Sequence, residues 1–540
     1  MSKKIMLLSV FCFLCMFSVK SMADIFSAAA SGDIDAMEIA LSEEGEDVNA
    51  TDKNGKTPLL IAIEKSSLNT VNYLFDNDAD FEVRDNLGNS ALMLACAVEK
   101  KDIVELLLQK GIDADERNKN GETALIIAVK KNNDEIALLL LSKQANIAAT
   151  DKYGNTALIY AAINNNAELI KELTAAADPS LIDYKNKNGL SAFFIASALG
   201  NLEAVKQLIQ SGADVTLNSA SGINPLMACC SLGNLKTVKY LTDKIGFDVN
   251  SKDYLGNTPL IACVSFTNYD FTVKLVKALN VVDSSDDKEV FNFINKAKKQ
   301  SNNIINYLIE NEASVDEANK QGLTPFLISI IENDIDTAKL LIEKGADINK
   351  KDKDGNNALL LSINSSNLNT LNFLLSKNAD VNSTNELGTP ALSIAIETGN
   401  FDIVNKLLTD KKLEINKADK NGKTPLMVAA SYGYNKIVQD LLAKKADISL
   451  KDNEGQDAII YAAKADNLKT VRTLADSAIK KQNIAAQKAA TKKTNAVKTA
   501  AAKKTTVAKA ADKTKTSATA KKAGSNTTKT VKKAKTIEEE

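Results

Sequence analysis

A ten-residue phrase recurs along most of this chain. It reads KNGKTPLLIA from Lys53, NLGNSALMLA from Asn86, KNGETALIIA from Lys119 and KYGNTALIYA from Lys152. It returns as YLGNTPLIAC from Tyr254, KQGLTPFLIS from Lys320, KNGKTPLMVA from Lys420 and NEGQDAIIYA from Asn453. Its glycines fall at 55, 88, 121, 154, 189, 222, 256, 322, 355, 388, 422 and 455, spaced by 33 to 35 residues except for 66 after Gly256. A fixed period of this size marks a stacked array, in which each unit touches only its neighbours and the core is a ribbon without a single centre.

Residues 52–84 show what one unit is. Asp52-Lys53-Asn54-Gly55 is turn chemistry, with Gly55 free to take positive φ. Thr57 suits the cap of a following helix, and Pro58 suits its first turn. Leu59, Ala62 and Ile63 recur at helical spacing, Ser66 and Ser67 interrupt it, and Val71, Leu74 and Phe75 mark a second helix. Neither helix is long enough to stand alone, so stacked apolar faces must supply the stability.

These residues resemble the ankyrin repeat, whose unit opens on Gly-x-Thr-Pro-Leu-His-x-Ala and closes on a Gly-Ala-Asp-Val-Asn-like segment. Here the openings read GKTPLLIA, GNTPLIAC, GLTPFLIS and GKTPLMVA, and the closes GADVT at 212–216, GADIN at 345–349 and NADVN at 378–382. The resemblance implies an all-α solenoid of about fourteen helix–turn–helix units with short β-turn or hairpin tips, over residues 24–480. The departure is the family's histidine. Its slot holds Leu60, Met93, Ile126, Ile159, Phe194, Met227, Ile261, Leu327, Leu360, Ser393, Met427 and Ile460. Because that histidine ties turns together in the family, the resemblance implies looser turns here, with apolar contacts instead.

The frame reaches beyond the glycines. Phe26 and Ala29 extend it to a starting unit at 24–50. The 66-residue gap reads as one degenerate unit at about 284–316, with Val290, Phe293, Ile294 and Ala297 followed by Ile304, Ile305, Leu308 and Ile309 at helical spacing. That unit is either a hinge or drifted sequence that still packs.

The N-terminus reads as an address. Lys3 and Lys4 precede the apolar run Ile5–Val19, and Ser21-Met22-Ala23 offers small residues for cleavage before Asp24. This is the pattern of a secretory signal peptide over residues 1–23. It places the protein in the periplasm or outside the cell, with a lipoprotein or a signal anchor as the rival readings. Lys-dominated basic residues with abundant Ile and Asn suggest an AT-rich bacterial genome. Four cysteines follow the cleavage point: Cys96, Cys229, Cys230 and Cys263. Cys229 and Cys263 occupy the small-residue slot that holds Ala62, Ala95, Ala128 or Ala161 elsewhere, so they are expected as free thiols in the core.

Charge is distributed unevenly. Residues 1–23 carry +3, residues 481–540 carry 16 Lys against four acids for +12, and the remaining 24–480 carry −16. Residues 481–540 have almost no large apolar side chain and read as a disordered Lys/Ala/Thr-rich tail. The tail resembles those of histone H1-like bacterial proteins. For an exported protein an anionic envelope polymer, anionic lipid or the protein's own acidic array is the expected partner of such a tail, and nucleic acid is not.

Histidine is absent, which removes His-based acid–base catalysis, His metal ligands and Ser-His or Cys-His pairs. No catalytic residue, metal site or cofactor stands outside the repeat frame. The resemblance implies a monomeric scaffold for a protein partner. Its contacts would fall on the turn tips Leu87, Tyr153, Leu190, Ile223, Tyr254, Leu255, Leu323 and Leu387, and on the inner helix positions Val98, Leu199, Leu232, Phe266 and Tyr432. The alternative is a polyanion or envelope tether that acts through the basic tail.

Overall fold

The computed structural model describes residues 24–42, 45–65, 67–265, 276 and 287–516. The signal segment 1–23, Phe266 and residues 517–540 lie outside the described residues. The chain divides into two compact units, Met1–Leu387 and Gly388–Glu540.

Each repeat folds as the turn chemistry predicts. The helix after the turn is short, as in Pro58–Glu64, and its N-cap Thr57 accepts a hydrogen bond from the Leu60 N–H at 3.3 Å. The second helix, Leu68–Asp76, turns Val71 and Leu74 into the core. Ten such pairs stack in the first unit, from Ile25–Ser31 with Ile34–Ser42 to Ala358–Asn364 with Leu368–Ser376. The second unit begins with Ala391–Glu397 and Phe401–Leu408 and ends with Ala458–Lys464 and Leu468–Thr516. The all-α array is as expected, and the starting unit at 24–50 is a helix pair.

The turns are joined by a main-chain ladder. The Asn86 N–H donates to the Asn54 carbonyl at 2.8 Å, Lys119 to Leu87 at 3.0 Å, Lys152 to Asn120 at 2.6 Å and Lys353 to Gln321 at 2.9 Å. Each loop is also closed from within. The Asp52 Oδ1 accepts the N–H groups of Asn54 and Lys56, both at 2.8 Å, and Asp352 does the same for Asp354 and Asn356. The repeat glycine is required twice over. Gly355 has φ +75°, and a Cβ on it would lie 2.4 Å from the backbone nitrogen of Glu386 in the next turn.

Turn looseness, the consequence expected from the missing histidine, is therefore not what the turns show. Carboxylate and amide oxygens within each loop, together with the ladder, hold them. The apolar half of that expectation stands: Leu60, Met93, Ile126, Ile159, Phe194, Met227, Ile261, Leu327, Leu360 and Met427 are all buried in the vacated slot. Ser393 is buried there too, and only Ile460 in the final pair is exposed.

The 66-residue gap has a different cause from the one the period suggests. The turn at Gly322 stacks directly on the turn at Gly256: the Lys320 N–H donates to the Leu255 carbonyl at 2.8 Å. Asn319 Nδ2 reaches Asn257 Oδ1 at 3.0 Å, and the Ser314 N–H reaches Asn250 Oδ1 at 2.8 Å. Helix Ser301–Glu310 is thus the second helix of the unit whose first helix is Pro259–Val264. The Cys263 Sγ contact to the Ser301 carbonyl, 38 residues on, matches the Cys229 Sγ contact to the Asn234 carbonyl, five residues on. The two separations differ by one full period, inserted between two helices of one unit. The described residues 287–316 therefore form no stacked pair of their own, which corrects the separate unit expected at about 284–316, and the described residues form thirteen pairs. The described helix Asp287–Lys298 belongs to the insertion, and its end packs against both neighbouring units. The Ala297 carbonyl sits where a Cβ on Gly233 would be, at 2.5 Å, and Lys298 Nζ pairs with Asp334 Oδ2 at 3.0 Å.

Smaller length changes are absorbed locally. The 34-residue step from Gly222 to Gly256 is taken up by a widened π-type turn at Leu241–Ile245. The 35-residue step from Gly154 to Gly189 holds the short 3-10 turn Pro179–Leu181.

The expected loss of structure after residue 481 is corrected over 481–516, which continue the final helix, Leu468–Thr516. No Gly or Pro interrupts this stretch, and Ala, Lys and Gln are strong helix formers. Its first turns pack, with Thr473 Oγ1 on Asn435 Oδ1 at 2.9 Å and Lys481 Nζ on Asp447 Oδ1 at 2.7 Å. Residues 482–506 are exposed.

Three outcomes test this fold. Gly455→Ala, at φ +78° with nothing within 4 Å of an added Cβ, should cost only the left-handed penalty of about 1–2 kcal/mol. Gly355→Ala should cost distinctly more, because the next turn must move; hydrogen-exchange protection of the Glu386 amide reports it. Excising residues 266–298 should leave an array that keeps the Lys320 amide protected, whereas loss of that protection would restore the separate-unit reading. Lys481 and Ser449 hold the Asp447 carboxyl at about 2. This lowered group stabilises the helix anchor above its ordinary range near 3.8, and the contribution disappears as pH falls from there through 2. A carboxyl-carbon NMR titration should therefore show a depressed midpoint that returns toward normal in Lys481→Ala.

Candidate interaction surface

The ladder sets which side chains face outward. The residue before the repeat glycine points away from the stack, so Leu87, Tyr153, Leu255 and Leu387 are exposed, as is Tyr254 one position earlier. The residue after the glycine points inward. Its carbonyl accepts the loop-closing N–H, as Leu190 does from Asn186 at 3.1 Å and Ile223 from Ser219 at 2.9 Å. That geometry buries Leu190 and Ile223 and half-buries Leu323. The expected tip residues thus fall into two classes, and Leu190 and Ile223 are corrected from tips to inner-face positions.

The inner helix positions also separate. Val98 and Leu199 are half-buried, and Tyr432 is 50% exposed. Leu232 is buried, at a junction that the returning insertion covers through Gly233 and Ala297. Sequence reasoning missed Ile331 and Phe401, which are 50% and 51% exposed. Ile331 lies nine residues after Gly322, a column that the repeat frame makes visible once its outward direction is known.

Three of the expected residues meet in one groove of about 370 Å³. Ile223, Leu255 and Leu323 line it with Met227, Ile261 and Ile328, between the turns at Gly222, Gly256 and Gly322. Met227 and Ile261 stand in the slot of the family's histidine, so the apolar replacements also form the groove floor. Asp253, Asn257 and Asn319 supply polar edges. Loop closure engages the Asp253 carboxylate, whose Oδ1 accepts from Leu255 and Asn257.

Units nearer the N-terminus present a different inner surface. The residue after the glycine and the one eight positions later form an ion pair in two of them: Lys56 Nζ with Glu64 Oε1 at 2.6 Å, and Lys130 Nζ with Glu122 Oε1 at 2.5 Å. Burial raises the Glu122 carboxyl, but hydrogen bonds from Asn118 and Lys130 outweigh it and leave the group below its usual value. In the central units the same two positions hold Leu190 and Ala198, Ile223 and Ser231, Asn257 and Ser265, and Leu323 and Ile331, none of them charged. Charge therefore gives way to apolar and small side chains toward the groove.

The four described cysteines are free and buried, and burial pushes their thiols far above the ordinary range. None is activated as a nucleophile. Among the described residues there is no cluster of three or more His, Cys, Asp or Glu side chains suited to a metal. No described helix is long and apolar enough to cross a membrane.

The human transient receptor potential cation channel subfamily A member 1 is 36% identical over 66 residues, 12% of this chain and 6% of the channel. An ankyrin repeat-containing protein of Schizosaccharomyces pombe is 33% identical over 82 residues, 14% of this chain and 40% of that protein. The chain thus spans well under half of either relative. The crystal structure of the ankyrin repeat domain of Bcl-3 is 30% identical and covers 38% of this chain and 92% of that domain, with a TM-score of 0.34. The family profile described as ankyrin repeats in three copies matches residues 25–118, 102–188, 193–286, 293–385, 360–452, 392–486 and 427–511. With most of its length so matched, the chain belongs to the ankyrin-repeat family.

Proposed function

We propose that this protein is a non-catalytic scaffold that holds a protein partner on the inner face of its first unit. The observation that carries the reading is the groove of Ile223, Met227, Leu255, Ile261, Leu323 and Ile328, an apolar stretch in an array whose earlier units carry ion pairs at the same inner positions. Apolar side chains concentrated on a concave surface with polar edges suit a partner's aliphatic or aromatic anchor. The family generally mediates protein–protein interaction. Tyr153, Tyr254 and Leu87 on the tips would extend the contact.

The same proposal places the protein in the bacterial cell envelope or outside the cell, on the signal-peptide pattern of residues 1–23. A second reading, attachment to an anionic envelope polymer or lipid, is favoured by one observation. Beyond the Lys481–Asp447 pair the final helix is exposed and carries Lys488, Lys492, Lys493, Lys498, Lys503 and Lys504.

Crosslinking and mass spectrometry in the native organism test the scaffold. Leu255→Asp, at an exposed position, should leave thermal unfolding unchanged and reduce recovery of the partner about tenfold, equivalent to ~1.4 kcal/mol. Undiminished recovery would reject the groove. A chain ending at residue 481 should keep the partner. Its loss there, with Leu255→Asp still binding, would support the tether instead.

A further inference from the structure

The final helix, Leu468–Thr516, is anchored as far as the Lys481–Asp447 pair, and residues 482–506 beyond it are exposed. This exposed stretch holds Lys488, Lys492, Lys493, Lys498, Lys503 and Lys504, with no acidic and no aromatic residue among them. Its charge is therefore of one sign along its whole length.

How those lysines are placed round the helix decides what they can meet. Successive helical residues turn by about 100° and rise by about 1.5 Å. Lys492, Lys493, Lys498, Lys503 and Lys504 therefore stand about 40°, 140°, 280°, 60° and 160° round the axis from Lys488. Taken in chain order, every step goes forward by less than half a turn. The lysines trace a right-handed spiral of about 1.4 turns over about 24 Å of axis. No side of the rod lacks a positive charge for more than about a third of a turn.

The helix also has no apolar face. Its two large apolar side chains, Ile484 and Val497, are 44% and 68% exposed. They stand about 140° apart round the axis. A helix that lies in a bilayer surface does so by burying an apolar face, and this stretch offers none. A flat anionic surface would also meet only one side of the rod. Lys488, Lys492 and Lys503, within about 60° of one another, would face it, and Lys493, Lys498 and Lys504 would be turned aside. A flexible anionic chain can follow the spiral and meet all of them. Recognition would rest on charge alone. The last arginine is Arg472, so no guanidinium fork selects a planar anion, and no ring offers a base a stacking face.

We propose that residues 488–504 form a spiral track for a flexible linear polyanion, an anionic polymer and not a bilayer surface. The inference rests on the tether reading and narrows its ligand; it is independent of the groove at Gly256.

The test titrates the full chain with long-chain sodium polyphosphate and with phosphatidylglycerol vesicles over a salt series. Two double variants remove the same charge and keep a strong helix former: Lys488→Gln with Lys503→Gln on the densest side, and Lys498→Gln with Lys504→Gln away from it. Each pair should lower the slope of log affinity for polyphosphate against log salt by about 1.4, with helix content unchanged. A loss confined to the Lys488 and Lys503 pair, or absent from both pairs, would overturn the spiral track. Vesicles that bind more tightly than polyphosphate at equal anion concentration would overturn the polymer and leave a tether anchored on lipid. Tighter binding of oligothymidylate than of polyphosphate would overturn it in favour of nucleic acid. Binding of neither polyphosphate nor vesicles at about 50 mM salt would remove the tether reading itself.

Discussion

The structure depends on one contact made again and again, the hydrogen bond between successive turns. An N–H two residues before one glycine donates to the carbonyl just before the previous glycine, as Glu386 does to Asp354 at 2.9 Å. At Gly154, Gly322 and Gly355 this brings the backbones so close that the glycine between them leaves no room for a Cβ. The loop that presents the bond is closed by an acidic or amide side chain three residues before the glycine. Once the ladder forms, the first helices are aligned, their apolar faces are buried, and each tip side chain is sent in or out according to its side of the glycine. Single units lack this support, because their helices are too short to persist alone.

The same contact explains how the array does without the family's histidine. A buried polar ring there would need hydrogen-bond partners, whereas Leu60, Ile126 or Phe194 needs only neighbours. Loop carboxylates take over the tying role and the vacated slot becomes part of the core. At Met227 and Ile261 it also becomes a groove floor, so the substitution that removes a polar link supplies an apolar surface.

Two features break the repeat, and they differ in kind. The insertion after Val264 leaves the ladder intact, since Lys320 still bonds to Leu255 across the whole of the added chain. Length alone can be accommodated when it leaves between two helices and returns in frame. Tyr434 changes no length but replaces the asparagine that links units elsewhere, as Asn201 does to the Ala162 carbonyl, with an aromatic stack on Phe401 and Tyr432, at the cost of a helix cap. The first is a matter of topology and the second a matter of surface chemistry.

The sequence by itself determined the helix pairs, their period, their caps and the small-residue slots of Cys229 and Cys263, because each follows from local spacing and turn chemistry. It also determined that Leu87, Tyr153, Tyr254, Leu255 and Leu387 stand on exposed tips. It did not separate them from Leu190 and Ile223, since the two sides of a glycine diverge only when the loop closes on its neighbour. The insertion is as long as the period itself, so the sequence pattern alone cannot tell an added unit from an interrupted one. Only the tertiary structure decided which turn meets which, because that choice is made by hydrogen bonds between residues two periods apart in the chain. Only it brought Phe401 to Tyr434, because stacking joins side chains from successive units that the chain keeps a full period apart.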